Sequence, residues 1–155
     1  MPDQVVTPET PADRLEFIEE WLAQWLAGLP GVRAIVEDKV FPDAIPDDRL
    51  LPALIYTRRS TQRSGNQTGG DRLPEASFDV TCWVTGPTEK GKALRVAKAI
   101  RDPILATWLQ GTKDRGQTIS KATIENEFDV VSDPARGDDM AGVGRTLTLA
   151  IRYRE

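Results

Sequence analysis

The sequence predicts one α+β domain: a mainly antiparallel β-sheet of about four strands with two main helices packed on one face. Two observations predict it. Two segments carry apolar residues at helical steps of three and four, while other segments alternate apolar and polar residues as half-buried strands do. Those strand segments fall next to one another, joined by polar or glycine-bearing loops, instead of alternating singly with helices. A chain of 155 residues has the length of a single domain and can bury a core without metal or disulfide staples.

Residues 1–9 are polar and hold Pro2 and Pro8, so they read as a flexible tail before a domain of residues 10–155. Thr10, Pro11 and Asp13 are a helix start, with a capping hydroxyl, a proline at the first helical position and an acid in the first turn. Leu15, Ile18, Leu22, Trp25, Leu26 and Leu29 then form one stripe, with Trp21 at its edge; Gly28, Pro30 and Gly31 end the helix. Residues 32–36 read as a short strand, followed by a loop rich in proline and aspartate. Residues 52–58 are a strand opened by Pro52, and residues 59–72 a polar hairpin loop.

In the strand over residues 75–85, Phe78, Val80, Cys82 and Val84 share a face, and Trp83 sits among polar residues on the other. The second helix begins near Glu89 and carries Leu94, Ala97, Ile100, Ile104 and Trp108; Pro103 either kinks it or starts a new short helix. In the next strand Ile124, Phe128 and Val130 share a face with Asn126, which leaves Glu125, Glu127 and Asp129 opposite. The last strand alternates Leu147, Leu149, Ile151 and Tyr153 with Thr146, Thr148, Ala150 and Arg152.

Composition narrows the chemistry. Lys and Arg total 20 against 24 Asp and Glu, a net charge of −4, which argues against a general phosphate-binding surface. There is no histidine, hence no Ser-His-Asp or Cys-His nucleophile pair and no histidine metal ligand. The single cysteine, Cys82, lies on an apolar strand face and reads as a buried thiol. No apolar run approaches the ~20 residues a membrane helix needs, and the N-terminus lacks the pattern of a signal peptide.

The candidate contact residues are the arginines Arg58, Arg59, Arg63 and Arg72, which suit carboxylates or phosphates, and Trp83, an aromatic on a polar face. The glycines of that loop are not followed by the Gly-Lys-Ser/Thr of a phosphate-binding loop. Glu125, Glu127 and Asp129 are a candidate exposed acidic face, and Asp133, Asp138 and Asp139 do not have the spacing of a calcium loop. No residue is assigned to catalysis, to a metal or to a cofactor.

The order of segments resembles the tail-completion, or tail terminator, family of long-tailed phages and gene transfer agents. The resemblance lies in the first amphipathic helix followed by residues 31–36 and 40–46, in Leu51-Pro52 before an apolar strand, in residues 76–83 followed by a helix with Lys92-Ala93-Leu94 and Ala97, and in closing strands that end in residues 149–153. It spans about Leu15 to Tyr153, and it rests on the order and spacing of these motifs. It implies a virion protein, made in the bacterial cytoplasm, that assembles as a ring, usually a hexamer, on the tail-tube protein. The ring would stop tube growth and meet the head connector, with DNA only as passing cargo, no membrane partner and no catalysis. On this resemblance, the loop of residues 59–72 is expected to contact the tube or a neighbour, and the acidic stripe to lie exposed or toward the lumen. A head-closure or connector subunit is the nearest alternative; a nucleic-acid-binding regulator and a metal-dependent hydrolase belong to other classes.

Overall fold

A computed structural model describes residues 17–46, 50–62, 74–106, 112–114, 117–132 and 142–154 of the chain. The expected tail, the helix start at Thr10, Trp108, Arg63, Arg72 and the aspartates 133, 138 and 139 lie outside the described residues.

Helix α1 (Phe17–Gly28) buries Ile18, Trp21, Leu22 and Leu26. Trp21 therefore sits within the buried stripe, where Trp25 stacks on it with ring centroids 5.9 Å apart and planes 7° from parallel. The segment read as a short strand is instead a helix, α2 (Pro30–Val36). Pro30 does not merely end α1; it occupies the first turn of α2 after an extended Leu29, because its fixed φ suits that position. Val32 and Val36, four apart, are buried together, and that helical spacing outweighs the β-propensity of valine. There are thus three α-helices among the described residues, not two.

The strands are β1 (Val40–Pro42), β2 (Ala53–Gln62), β3 (Glu75–Val84), β4 (Thr112–Asp114), β5 (Gln117–Ser132) and β6 (Gly142–Arg154). They form one six-stranded sheet in the order β1-β2-β3-β6-β5-β4. Every neighbouring pair is antiparallel except β1–β2, which is parallel, so the sheet is mixed and larger than the four strands expected. The extra strands are three residues each, too short to show alternation. A 3₁₀ turn, Pro87–Glu89, leads into helix α3 (Lys90–Ala106), which runs on through Pro103 without dividing.

All three helices lie on one face of the sheet. Ala93, Val96, Ala97, Ile100 and Ile104 of α3, with the apolar residues of α1 and α2, meet Leu54, Tyr56, Phe78, Val80, Cys82, Leu147, Leu149, Ile151 and Tyr153 in one core. Gly31 of α2 is what allows α2 and α3 to approach: a Cβ there would stand 2.6 Å from the Cβ of Ala99. The opposite face carries Thr57, Asp79 and Thr148 in one row, then Phe41, Ile55, Thr81, Thr146 and Phe128, then Ala53, Trp83, Gly144 and Val130. The Thr81 and Thr146 hydroxyls are hydrogen-bonded at 2.7 Å, which makes two buried polar side chains tolerable there.

Candidate functional site

Two register shifts decide where the candidate residues point. The first falls between Arg58 and Ser60, inside β2, whose pairing with β3 continues to Gln62. Arg58 and Arg59 therefore belong to a strand and not to the loop that was expected to hold Arg59. Arg58 pairs with Phe78 on the helix-bearing face and lies over that ring, 6.0 Å from its centroid. Its Nη2 donates to the Tyr153 hydroxyl at 3.2 Å and its Nη1 to Glu19 Oε1 of α1 at 3.5 Å. It thereby joins β2, β6 and α1. Arg59, the bulged residue, has a side chain 58% exposed that reaches Asp79 at 3.5 Å on the opposite face.

The second shift, between Ile124 and Asn126, reassigns the faces of β5. Ile124 pairs with Leu149 in the core, yet two steps beyond the bulge Glu127 pairs with Leu147 on the same face. Asn126, Phe128 and Val130 point to the opposite face, so Ile124 does not share a face with Phe128 as expected. The extra residue in the bulge breaks the two-residue alternation.

Consequently Glu127 and Asp129 look toward α3, where they meet cations. Arg101 Nη1 lies 2.9 Å from Glu127 Oε1, and Arg145 Nε donates to Glu127 Oε2 at 2.8 Å. Arg145 Nη1 also donates to Asp129 Oδ1 at 2.7 Å, and Lys90 Nζ to Asp129 Oδ2 at 2.9 Å. Five charges alternate along this line, three positive and two negative, and tie Lys90 and Arg101 of α3 to carboxylates of β5 that Arg145 of β6 also holds.

Burial pushes the Glu127 carboxyl up, but the Arg101 and Arg145 guanidiniums more than reverse it, leaving it below its ordinary value. Lys90 and Arg145 likewise hold the Asp129 carboxyl down, and Asp129 and Glu127 raise Arg145. Glu125, at the bulge, is exposed.

Trp83 is half-buried on the face opposite the helices, between Ala53 and Gly144 in register. A Cβ on Gly142 would lie 3.6 Å from Trp83 Cε3 and 3.6 Å from Leu51 Cδ1, so the indole lies over a glycine-lined part of β6. On β5, Phe128 is 37% exposed on the same face as Trp83, and Val131 is 63% exposed on the other face. Sequence reasoning missed this pair because the bulge conceals which residues of β5 face outward. Cys82 is buried in the core, and burial pushes its thiol up to about 12, so it is no nucleophile at neutral pH.

These arrangements offer packing, strand edges and ion pairs. No helix among the described residues is long and apolar enough to cross a membrane. A comparison with curated proteins finds no match. The family described as Tail completion protein gp17 matches residues 20–138, which takes in α1 from its fourth residue, α2, α3 and strands β1 to β5. This chain is a structural protein of the phage tail and belongs to that tail-completion family.

Proposed function

We propose that the protein assembles as a ring of six subunits on the last ring of the tail tube. The ring ends tube growth and joins the tail to the head connector. The observation that carries this reading is the family match over residues 20–138. The fold is compatible with it: helices cover one sheet face, and part of each sheet edge has no described strand outside it. Ring contacts are heterologous, so one patch of a subunit meets a different patch of the next.

Within this reading the segment bearing Arg63 and Arg72 contacts the tube or a neighbour, with exposed Arg59 leading into it and Trp83 as a further contact. Arg58 works inside the subunit, through Glu19 and Tyr153. Of the three strand carboxylates, Glu125 is the one proposed for an exposed or lumenal surface, where negative charge would let DNA pass without sticking. Glu127 and Asp129 are neutralised within the subunit. The role requires assembly and no catalytic step.

Electron microscopy of particles made without this gene tests the reading. Filled heads beside unattached tails of uncontrolled length are expected. Tails of normal length beside heads that leak DNA would move the protein to the head side of the joint, and intact particles would overturn the structural role.

A further inference from the structure

The two edges of the sheet are each covered over only part of their height, and the covered parts are at opposite ends. On one edge β1 pairs with residues 54–56 of β2 and leaves residues 60–62 with no described strand outside them. On the other, β4 pairs with residues 117–119 of β5, and between residues 122 and 131 no described strand lies outside β5. The register across β2, β3, β6 and β5 sets residues 54–56 level with residues 127–129. The short strand on one edge therefore stands level with a bare stretch on the other.

We propose that β1 of one copy pairs with the bare stretch of β5 of the next, so that β1 and the neighbour's β4 fill the same column one above the other and the sheet runs on from subunit to subunit. This rests on the ring reading above and names the contact that closes the ring. The directions agree. β1 runs parallel to β2, and three antiparallel steps separate β2 from β5, so rotation about a ring axis lying along the strands brings β1 antiparallel to the neighbour's β5.

The side chains agree as well. Of the four large apolar residues exposed among the described ones, Phe128 and Val131 lie on this stretch of β5. Val40 and Phe41 of β1 are only partly covered within their own subunit. In level pairing Phe41 meets Phe128 on the face away from the helices. A stagger of two residues, which preserves faces, brings Phe41 to Val130 and Val40 to Val131. The outward main-chain donor at Glu127 is already taken by the Asn126 side chain at 2.9 Å, while by alternation the N–H groups of Asp129 and Val131 also point outward, toward the neighbour.

Disulfide trapping tests the contact. Phe41→Cys is combined in one chain with Phe128→Cys or with Val130→Cys, and Cys82→Ala removes the native thiol. Within a subunit these positions are four strand spacings apart, about 19 Å, too far for an internal bridge. Mild oxidation of the purified protein and of assembled tails is expected to yield a ladder of linked subunits with one of the two pairs, and none with Phe41→Cys plus Thr123→Cys. Val131→Pro, which removes an outward donor and no ladder bond to β6, is expected to keep a cooperative thermal transition and lose the ring. Rings seen in the microscope without a ladder from either pair would overturn the edge contact and leave the ring reading standing. Absence of any ring, in solution or on tails, would overturn both.

Discussion

Gly31 shows how much one missing methyl can decide. A Cβ at that position would meet the Ala99 Cβ at 2.6 Å, nearer than side-chain carbons ever pack, and the neighbour is a rigid helix position. Gly31→Ala is expected to push α2 from α3 and lower the stability by about 1–3 kcal/mol, read from the urea midpoint. Glu37 is the converse case. It ends α2 with φ 60 and ψ −121, a conformation that glycine adopts without the Cβ clash a glutamate carries. Glu37→Gly should therefore raise stability by about 1 kcal/mol, despite the greater freedom of glycine in the unfolded chain. Cys82 is buried with its thiol raised to about 12, so alkylating reagents should leave it unmodified in the native protein and label it only on unfolding.

At the scale of elements, α3 is held to the β5–β6 hairpin by its buried stripe and by the line of charges Arg101, Glu127, Arg145, Asp129 and Lys90. Glu127 is the member with the most burial and two guanidinium partners. Its folded carboxyl titrates below its ordinary value of 4.5, so the stability it contributes is present above that pH and is lost as pH falls through the lowered value. Glu127→Gln is expected to cost on the order of 1–2 kcal/mol near neutral pH, and the gap to the parent protein should narrow as pH falls from 4.5 through the lowered value, where both come to lack the charge. Urea titrations of both proteins across that range measure it; a gap that does not narrow would mean the loss is packing and not charge.

The same residues show what could be read in the chain beforehand. The stripes of α1 and α3 and the alternation of β3 and β6 are visible because each is a long, regular run with one buried face. Residues 32–36 misled because apolar residues at both alternate and fourth positions fit a strand or a helix, and only packing against α3 decides between them. The stripe of Glu125, Glu127 and Asp129 misled for a different reason: a bulge leaves no mark in the sequence, yet it turns every following side chain to the other face. The ion partners at positions 90, 101 and 145 come from distant segments, so no local spacing could have paired them.

For the whole molecule, stability and assembly draw on different surfaces, and this makes them separable. The core lies between the three helices and one sheet face. The proposed contact uses the edge of β5, where Val131 is 63% exposed and contributes little to the isolated subunit. A charge there should leave folding almost untouched, since substitutions at such exposed positions usually change stability by no more than about 0.5 kcal/mol. The same charge would have to be desolvated among Val40 and Phe41 of a neighbouring copy, at a cost that an apolar strand contact cannot offset. Val131→Asp is thus expected to unfold at nearly the parent temperature by circular dichroism, yet to fail to restore particles when supplied to cells lacking the gene. A matching loss of thermal stability would assign Val131 to the fold, and full restoration of particles would remove this edge from assembly.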